Sequence, residues 1–383
     1  FYGTSYVLKT LSRVEDGVVP DLEVGRRFGE RAAEIGISPV LGAIEYRRRE
    51  AEPITLAVLH RYLANQGTAW QFTLDQLSKY FERVSALPRD WRPPRFSLGA
   101  RQTPEGEDER WLESRQLVGG SLDTAAALGR RTATLHASLA SAEGPTFEPE
   151  PFGKLYQRSL YQSMRNLTGR LCKRLDRVGD RLPEPARSLS ERIRANESVL
   201  LQRFRSITDP SLGGSRIRCH GDYHLGQLLF TGKDFVLTDF NGDTKRSIGE
   251  RRVKRSPLRD VASLIRSLDY AVLSVLLGLT DLRGRSPGLV RTEDRPALEA
   301  WAQFWYETVS REFVASYIEA IQPAKLIPNS LTTIYDLLEL FLLEKALLEI
   351  DAELTNRLEW VEVPMRGAIR LLESDPADPA LWI

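Results

Sequence analysis

Cysteine is scarce in this chain: Cys172 and Cys219 are the only two in 383 residues. Two thiols make at most one disulfide, too few to staple a fold of this length. Two cysteines argue against a disulfide framework and against a structural zinc site, and a reducing, cytoplasmic setting is the expectation. An excess of charge of one sign is also missing. The 53 Lys and Arg against 52 Asp and Glu leave a net charge of +1, so nothing marks the whole chain for nucleic acid or a membrane surface. One basic run, KRSIGERRVKR at 245–255, reads first as a solvated face and second as a guide for a phosphorylated ligand. Long apolar runs are absent too. The longest, YAVLSVLLGL at 270–279, falls far short of the roughly 20 residues that span a bilayer. Neither GxxxxGK nor GxGxxG occurs, which removes a P-loop and a dinucleotide fingerprint.

What is present is an apolar fraction of 42%, enough for a large core and two lobes. Residues 4–11 (TSYVLKTL) are β-branched and aromatic and read as a strand. Residues 20–36 read as one helix, with acids near its start and Phe28, Ala32 and Ile35 on one side. AIEYRR and ITLAVLHRYL read as two further strands joined by the turn AEP. This strand–helix–strand–strand unit ends near Leu63. Beyond Asn65 helical periodicity dominates, including 121–140 with Ser121 as N-cap and Leu128, Leu135 and Leu139 on one face. Two long helices follow, at 154–182 and 185–204. Stretches 88–110 and 283–296 read as exposed loops. The fold class is therefore α+β, with a β-rich unit at 1–63 and a mainly helical one at 64–383. Phe1 lies without lead-in at the edge of a strand, so the chain reads as part of a longer polypeptide.

One strand-like island interrupts the helices: CHGDYHLGQLLFTGKDFVLTDFNGD, at 219–243. Two short strands flank the turn TGKD, and acids stand at the strand ends. Asp222 is followed five residues later by Gln227, and Asp239 closes the second strand. Protein kinases use this arithmetic: a catalytic Asp, an amide ligand five residues on, and a strand-end Asp that holds magnesium. The residue types suit phosphoryl transfer. A carboxylate such as Asp222 can accept the acceptor hydroxyl's proton. Magnesium takes hard oxygen ligands, which Asp239 and Gln227 supply. Lys9 is the candidate cation for ATP phosphates, Glu23 its candidate partner, and Tyr62 marks a hinge whose backbone can bind adenine. Gly3 can belong to the loop that covers the phosphates.

Each residue has a plainer alternative. Lys9 can be a solvated strand-end residue and Glu23 a first-turn helix acid. His220 and His224 stand four apart, a zinc-ligand spacing, although His220 reads better as a brace for the loop. Ser5 and Ser256 have no triad around them.

These segments resemble the maltokinases, a branch of the aminoglycoside-phosphotransferase-like kinases. The likeness is to the form found as the C-terminal part of trehalose synthase–maltokinase fusions. It rests on HGDYHLGQLL together with ANQGTAWQFTLDQLSKYFE, SPLRDVASLIRSLDYA and FLLEKALLEIDAELTNRLEWVEVPMRG. The resemblance implies a bilobal protein-kinase-like fold and phosphorylation of maltose to maltose 1-phosphate by ATP and Mg2+. It also implies a place between trehalose and α-glucan, attached to or associated with trehalose synthase. On it, Asp222 is the base, Gln227 and Asp239 the metal ligands and Lys9 the phosphate lysine. It further implies a segment before Phe1 that completes the small lobe, so weak or no activity is expected of residues 1–383 alone.

Sugar contacts are expected from the helical lobe. The apolar segment 332–354 carries Glu344, Lys345 and Glu349, and buried charges must pair or face a ligand. A Lys345–Glu349 pair one turn apart is the plain alternative. Tyr270, Trp301, Trp305, Tyr306 and Trp360 can stack on a sugar or fill the core. Where the family reads DFEGEP this chain reads DFNGDT. Asn241 is expected to leave the three catalytic roles untouched and to bear on metal number and sugar choice. The rival readings are a kinase for another sugar such as an amino sugar, a non-catalytic kinase-like module and, more distantly, a metal-dependent hydrolase.

Overall fold

The computed structural model describes residues 2–88, 90–94, 109–279 and 290–373. The expected strand–helix–strand–strand order is present. Strands Tyr6–Thr10, Val40–Tyr46 and Ile54–Arg61 form an antiparallel sheet with the last in the middle. Lys9 lies opposite Val58. Helix Pro20–Phe28 packs on the sheet through a small apolar cluster of Val19, Leu22, Val58 and Ile248. Pro20 suits the first helical turn because its missing N–H would go unbonded there anyway. The single helix expected over 20–36 is broken. Gly29 takes φ 46°, open to a residue without Cβ, and a short helix, Ala32–Ile35, follows. Phe28, Ala32 and Ile35 are all buried, so the apolar face survives the break.

The rest is mainly helical. Helix Ala69–Ser85 starts at a capping box between Thr68 and Gln71. Helix Ser121–Ser141 starts one residue before the sequence reading, with Gly120 as N-cap, because the Ser121 hydroxyl is taken by the Trp305 indole at 3.3 Å. Its Leu128, Leu135 and Leu139 are buried as expected. The segment 185–204 divides at Asn196 into helices Ala186–Ala195 and Glu197–Arg205. Most of the stretch 88–110 and positions 283–289 lie outside the described residues.

Helix Leu258–Leu277 runs through the centre. Between Leu258 and Leu276 only Arg259 and Ser263 are not buried. Both line a cavity described below, so this helix meets water only where the cavity is.

The island at 219–243 forms the expected hairpin, Leu228–Phe230 against Phe235–Leu237. It is stitched on both sides. Leu237 exchanges hydrogen bonds with the segment after the first helix, through the Gly36 carbonyl and the Ser38 N–H, both at 2.8 Å. Phe230 exchanges a pair with Gln66 and Gly67, at 2.8 and 2.9 Å. The hairpin thus joins the sheet-bearing part to the helical part.

The basic run at 245–255 is a solvated face only in part: Lys245 is exposed, but three of its cations turn inward. Arg251 binds Glu15 and the Asn241 carbonyl, each at 3.1 Å. Arg252 binds the Val18 carbonyl at 2.6 Å, and Lys254 binds Glu150 at 3.0 Å. Arg251 and Arg252 thus tie this run to the sheet-bearing part, while Lys254 pairs within the helical part. Among the described residues no helix is long and apolar enough to cross a membrane.

Candidate active site

The loop that carries Asp222 is held from below. Asp260, at the start of the central helix, accepts the N–H groups of His220 at 2.7 Å and Gly221 at 3.1 Å. It also meets His136 Nε2 at 3.3 Å, and His136 Nδ1 meets the Tyr317 hydroxyl at 3.0 Å. Burial opposes the Asp260 charge, but His136 and the loop N–H groups hold its carboxyl below the usual range. His220 points inward and shares a hydrogen bond with the Thr238 carbonyl at 2.9 Å, between the rings of Tyr223 and Phe240. It braces the loop, as the sequence reading preferred. His224 accepts the Gly226 N–H at 3.0 Å, and its other nitrogen lies 3.7 Å from Asp222. The two histidines serve different structures. No group of three or more His, Cys, Asp or Glu side chains among the described residues can hold a metal. The zinc arrangement is therefore not formed.

Asp222 is partly exposed at a cavity wall. Burial works against its charge, but His224, Lys345 and His220 hold its carboxyl well below the ordinary carboxylate range. It is ionised at any physiological pH.

Asp239 stands beyond the hairpin's second strand at φ 62°, a turn conformation in which its carboxylate faces the same cavity. Its Oδ1 receives Lys9 and the Asn241 amide, the latter at 3.1 Å. Its Oδ2 accepts nothing from any described residue. The Gln227 carbonyl accepts the Thr238 N–H at 2.9 Å, so the turn bearing Gln227 adjoins the residue before Asp239. The open Asp239 oxygen suits a hard divalent ion such as Mg2+, and Gln227 is joined to that turn through its backbone carbonyl. The expectation that Asn241 leaves the catalytic set untouched does not hold, since its buried amide orients Asp239.

Lys9 does not pair with Glu23. Its second carboxylate is Asp21, at 3.5 Å. Asp21 also meets His60 at 3.2 Å and accepts the Phe240 N–H at 3.1 Å. One buried acid thus ties the first strand, the third strand and the segment beside Asp239. Despite its burial, His60 and Lys9 hold the Asp21 carboxyl down to about 2. Glu23 instead pairs with Arg218 at 2.9 Å and Arg252 at 3.4 Å. Two residues along a helix turn the side chain by about 200°, so Asp21 and Glu23 face different neighbours. The Tyr62 N–H is taken by the Ser5 carbonyl at 2.8 Å, so that group is not open to adenine. Gly3 lies in the exposed turn before the first strand.

Two cavities meet at Ser263, Lys345 and Glu349. The first, about 560 Å³, contains Asp222, Asp239 and Glu344. The second, about 460 Å³, is lined by Trp70, Tyr270, Glu353 and Trp360 among others. Glu344 pairs with Arg259 at 2.6 Å, and Glu349 with Arg266 at 2.9 Å. The one-turn Lys345–Glu349 pair is therefore not made, and Lys345 has no ion-pair partner among the described residues. Tyr270 stacks on Trp360 with 14° between the rings and donates to Glu353 at 3.2 Å. Trp301, Trp305 and Tyr306 are core residues, between 1% and 2% exposed, and line neither cavity.

Glucosamine kinases have this fold. One solved as crystal form B superimposes with a TM-score of 0.68 at 20% identity, covering 97% of this chain and 74% of that one. A second, in complex with glucosamine, ADP and inorganic phosphate, gives 0.67 at 19% identity, covering 97% and 73%. In sequence, a glucosamine kinase from Streptacidiphilus jiangxiensis is 24% identical over 197 residues. That match covers 50% of this chain and 37% of the relative, so it spans well under two thirds of that protein. No family model matches the chain.

Proposed function

We propose that this chain is an ATP-dependent phosphotransferase whose acceptor is a hydroxyl of a small sugar. The supporting observation is convergence on one cavity. Asp222, Asp239 and Lys345 line it, and Lys9 is bound to Asp239. In this reading the kinase-like fold is bilobal, with residues 1–63 as the smaller lobe and 64–383 as the larger.

Asp222, ionised and held by its loop, orients the acceptor hydroxyl and takes its proton as transfer completes. Lys9, fixed by Asp21 and Asp239, binds the nucleotide phosphates. Asp239 Oδ2 and Gln227 would hold Mg2+, which supplies charge neutralisation for the triphosphate when bound. The Tyr62 region remains the proposed adenine hinge, through backbone groups other than the Tyr62 N–H.

The acceptor of choice is an amino sugar. The second cavity presents the Glu349 carboxylate, held through one oxygen by Arg266, beside the stacked rings of Tyr270 and Trp360, while Glu353 there is paired with Arg357. Carboxylates suit an ammonium group, and a ring face suits a pyranose. The name of the glucosamine-bound neighbour points the same way. Maltose is the second reading. It is favoured by the union of two cavities through Ser263, Lys345 and Glu349, which leaves room for a second ring. Under that reading the product is maltose 1-phosphate, and the partner is a trehalose synthase, fused or associated.

The test incubates the protein with Mg-ATP and a panel containing glucosamine, glucose and maltose, with Asp222→Asn as control. Phosphorylation of glucosamine in preference to maltose supports the first reading, and the reverse supports the second. Binding of sugar without turnover would replace both with a non-catalytic module.

A further inference from the structure

Behind Glu349 runs a line of buried charges. Arg266, on the central helix, is 1% exposed. Its Nε donates to Glu349 at 2.9 Å and its Nη1 to Asp269 at 2.5 Å. Asp269 also receives Arg370 at 2.7 Å, from helix Glu362–Glu373. The Arg370 guanidinium continues to Gln303 at 2.8 Å. Burial disfavours the Arg266 charge, but Glu349 and Asp269 more than offset it and hold the guanidinium charged.

Buried ion pairs are a poor route to stability, because desolvation offsets much of the attraction. What such an arrangement does well is fix geometry. A guanidinium fork can bind two carboxylates at once in set directions, which an ammonium cannot. Without Arg266, Glu349 would have a nearer cation, since Lys345 lies one turn earlier on its own helix. The two are not paired. Lys345 is instead among the charges that lower the Asp222 carboxyl.

We infer that Arg266 is a positioning residue: by holding Glu349 it fixes a carboxylate at the acceptor cavity and leaves Lys345 unpaired beside Asp222. The inference rests on the reading of that cavity as the acceptor site. Gly367 exposes the device to test. It faces Arg266 from the helix packed above, and a Cβ there would lie 2.8 Å from the Arg266 Cζ. The guanidinium would have to move: its Nη1, the atom nearest that Cβ, is the nitrogen bonded to Asp269, and because the group is rigid and planar its displacement carries Nε away from Glu349 as well.

Alanine for glycine inside a helix ordinarily raises stability. Gly367→Ala should nevertheless raise the acceptor KM by about tenfold while the ATP KM stays unchanged, as expected when a remote change misplaces a binding group. In a Glu349→Gln background the same substitution should add less than about twofold, because the group it displaces is already gone. Arg266→Met is the obvious variant, but it leaves two carboxylates short of a partner and endangers folding. Crystal structures of the wild type and Gly367→Ala supply the second readout. Glu349 should leave Arg266 in the variant, with the Lys9–Asp239 pair intact. An unchanged acceptor KM, an undiminished effect in the Glu349→Gln background, or Glu349 still on Arg266 in the variant overturns the inference. If the wild type phosphorylates no sugar, the proposed function fails instead, and the crystallographic comparison still decides whether Arg266 sets the position of Glu349.

Discussion

Asp21→Asn is the sharpest probe of how Lys9 is held. Asparagine keeps the shape of the side chain and mimics its protonated form. Asp21 is 2% exposed and its carboxyl sits at about 2, against an ordinary 3.8. Linkage converts that difference into about 2 kcal/mol of stability at neutral pH. The sign follows from the depressed value. The stabilisation is complete above 3.8 and is lost as the pH falls through about 2. At pH 3 roughly half remains, about 1 kcal/mol. Urea unfolding of wild type and variant at pH 7 and pH 3 reads both numbers as midpoint shifts at constant slope. The variant should be the weaker protein at pH 7, and its deficit should halve at pH 3. Equal stability at pH 7, or a deficit that does not change with pH, would refute the assignment of Asp21 as the acid beneath Lys9.

Other substitutions separate roles within the site. Asp222→Asn should lower kcat by about 10² to 10⁴ and move KM little, because the base acts mainly in the transition state; steady-state kinetics at saturating ATP measures this. Lys9→Met should raise the ATP KM, whereas Glu23→Gln should leave it unchanged, since Glu23 pairs with Arg218 and Arg252 rather than Lys9. Trp360→Ala should raise the sugar KM, while Trp305→Phe should cost thermal stability and leave the sugar KM alone. The kcat profile should show no Asp222 limb between pH 5 and pH 8, because its carboxyl is held below the ordinary range and stays ionised throughout.

The hairpin was legible because it is local. Asp222, Gln227 and Asp239 lie within eighteen positions, and the strands between them carry their own pattern of apolar residues and turn. The strand–helix–strand–strand order was legible for the same reason. The partner of Lys9 was not. Asp21 and Glu23 share one helical turn, and which of them faces the lysine depends on how that helix packs on the sheet. The signal was faint but present: Asp21 follows Pro20 at the helix start, where an acid is favoured and often buried against a neighbour. The inward turn of Arg251, Arg252 and Lys254 was hidden for a related reason. Charge density along a sequence does not tell which side chains meet a carboxylate from far away. The aromatic residues did not divide by depth, since Trp360 is only 3% exposed, but by which element borders the cavity. Trp301, Trp305 and Tyr306 lie on a long helix buried on several sides, whereas Trp360 lies in a short turn at the cavity rim. Asp260 was hidden within an apolar stretch, and its importance rests on backbone groups forty residues away.

The central claim is that this site moves a phosphoryl group from ATP to a sugar hydroxyl. Phosphorus NMR of the protein with Mg-ATP and glucosamine reads it most directly. A sugar phosphomonoester signal should rise in step with ADP and be lost in Asp222→Asn. ADP accompanied only by inorganic phosphate, or no ADP with any sugar in the panel, would contradict the account.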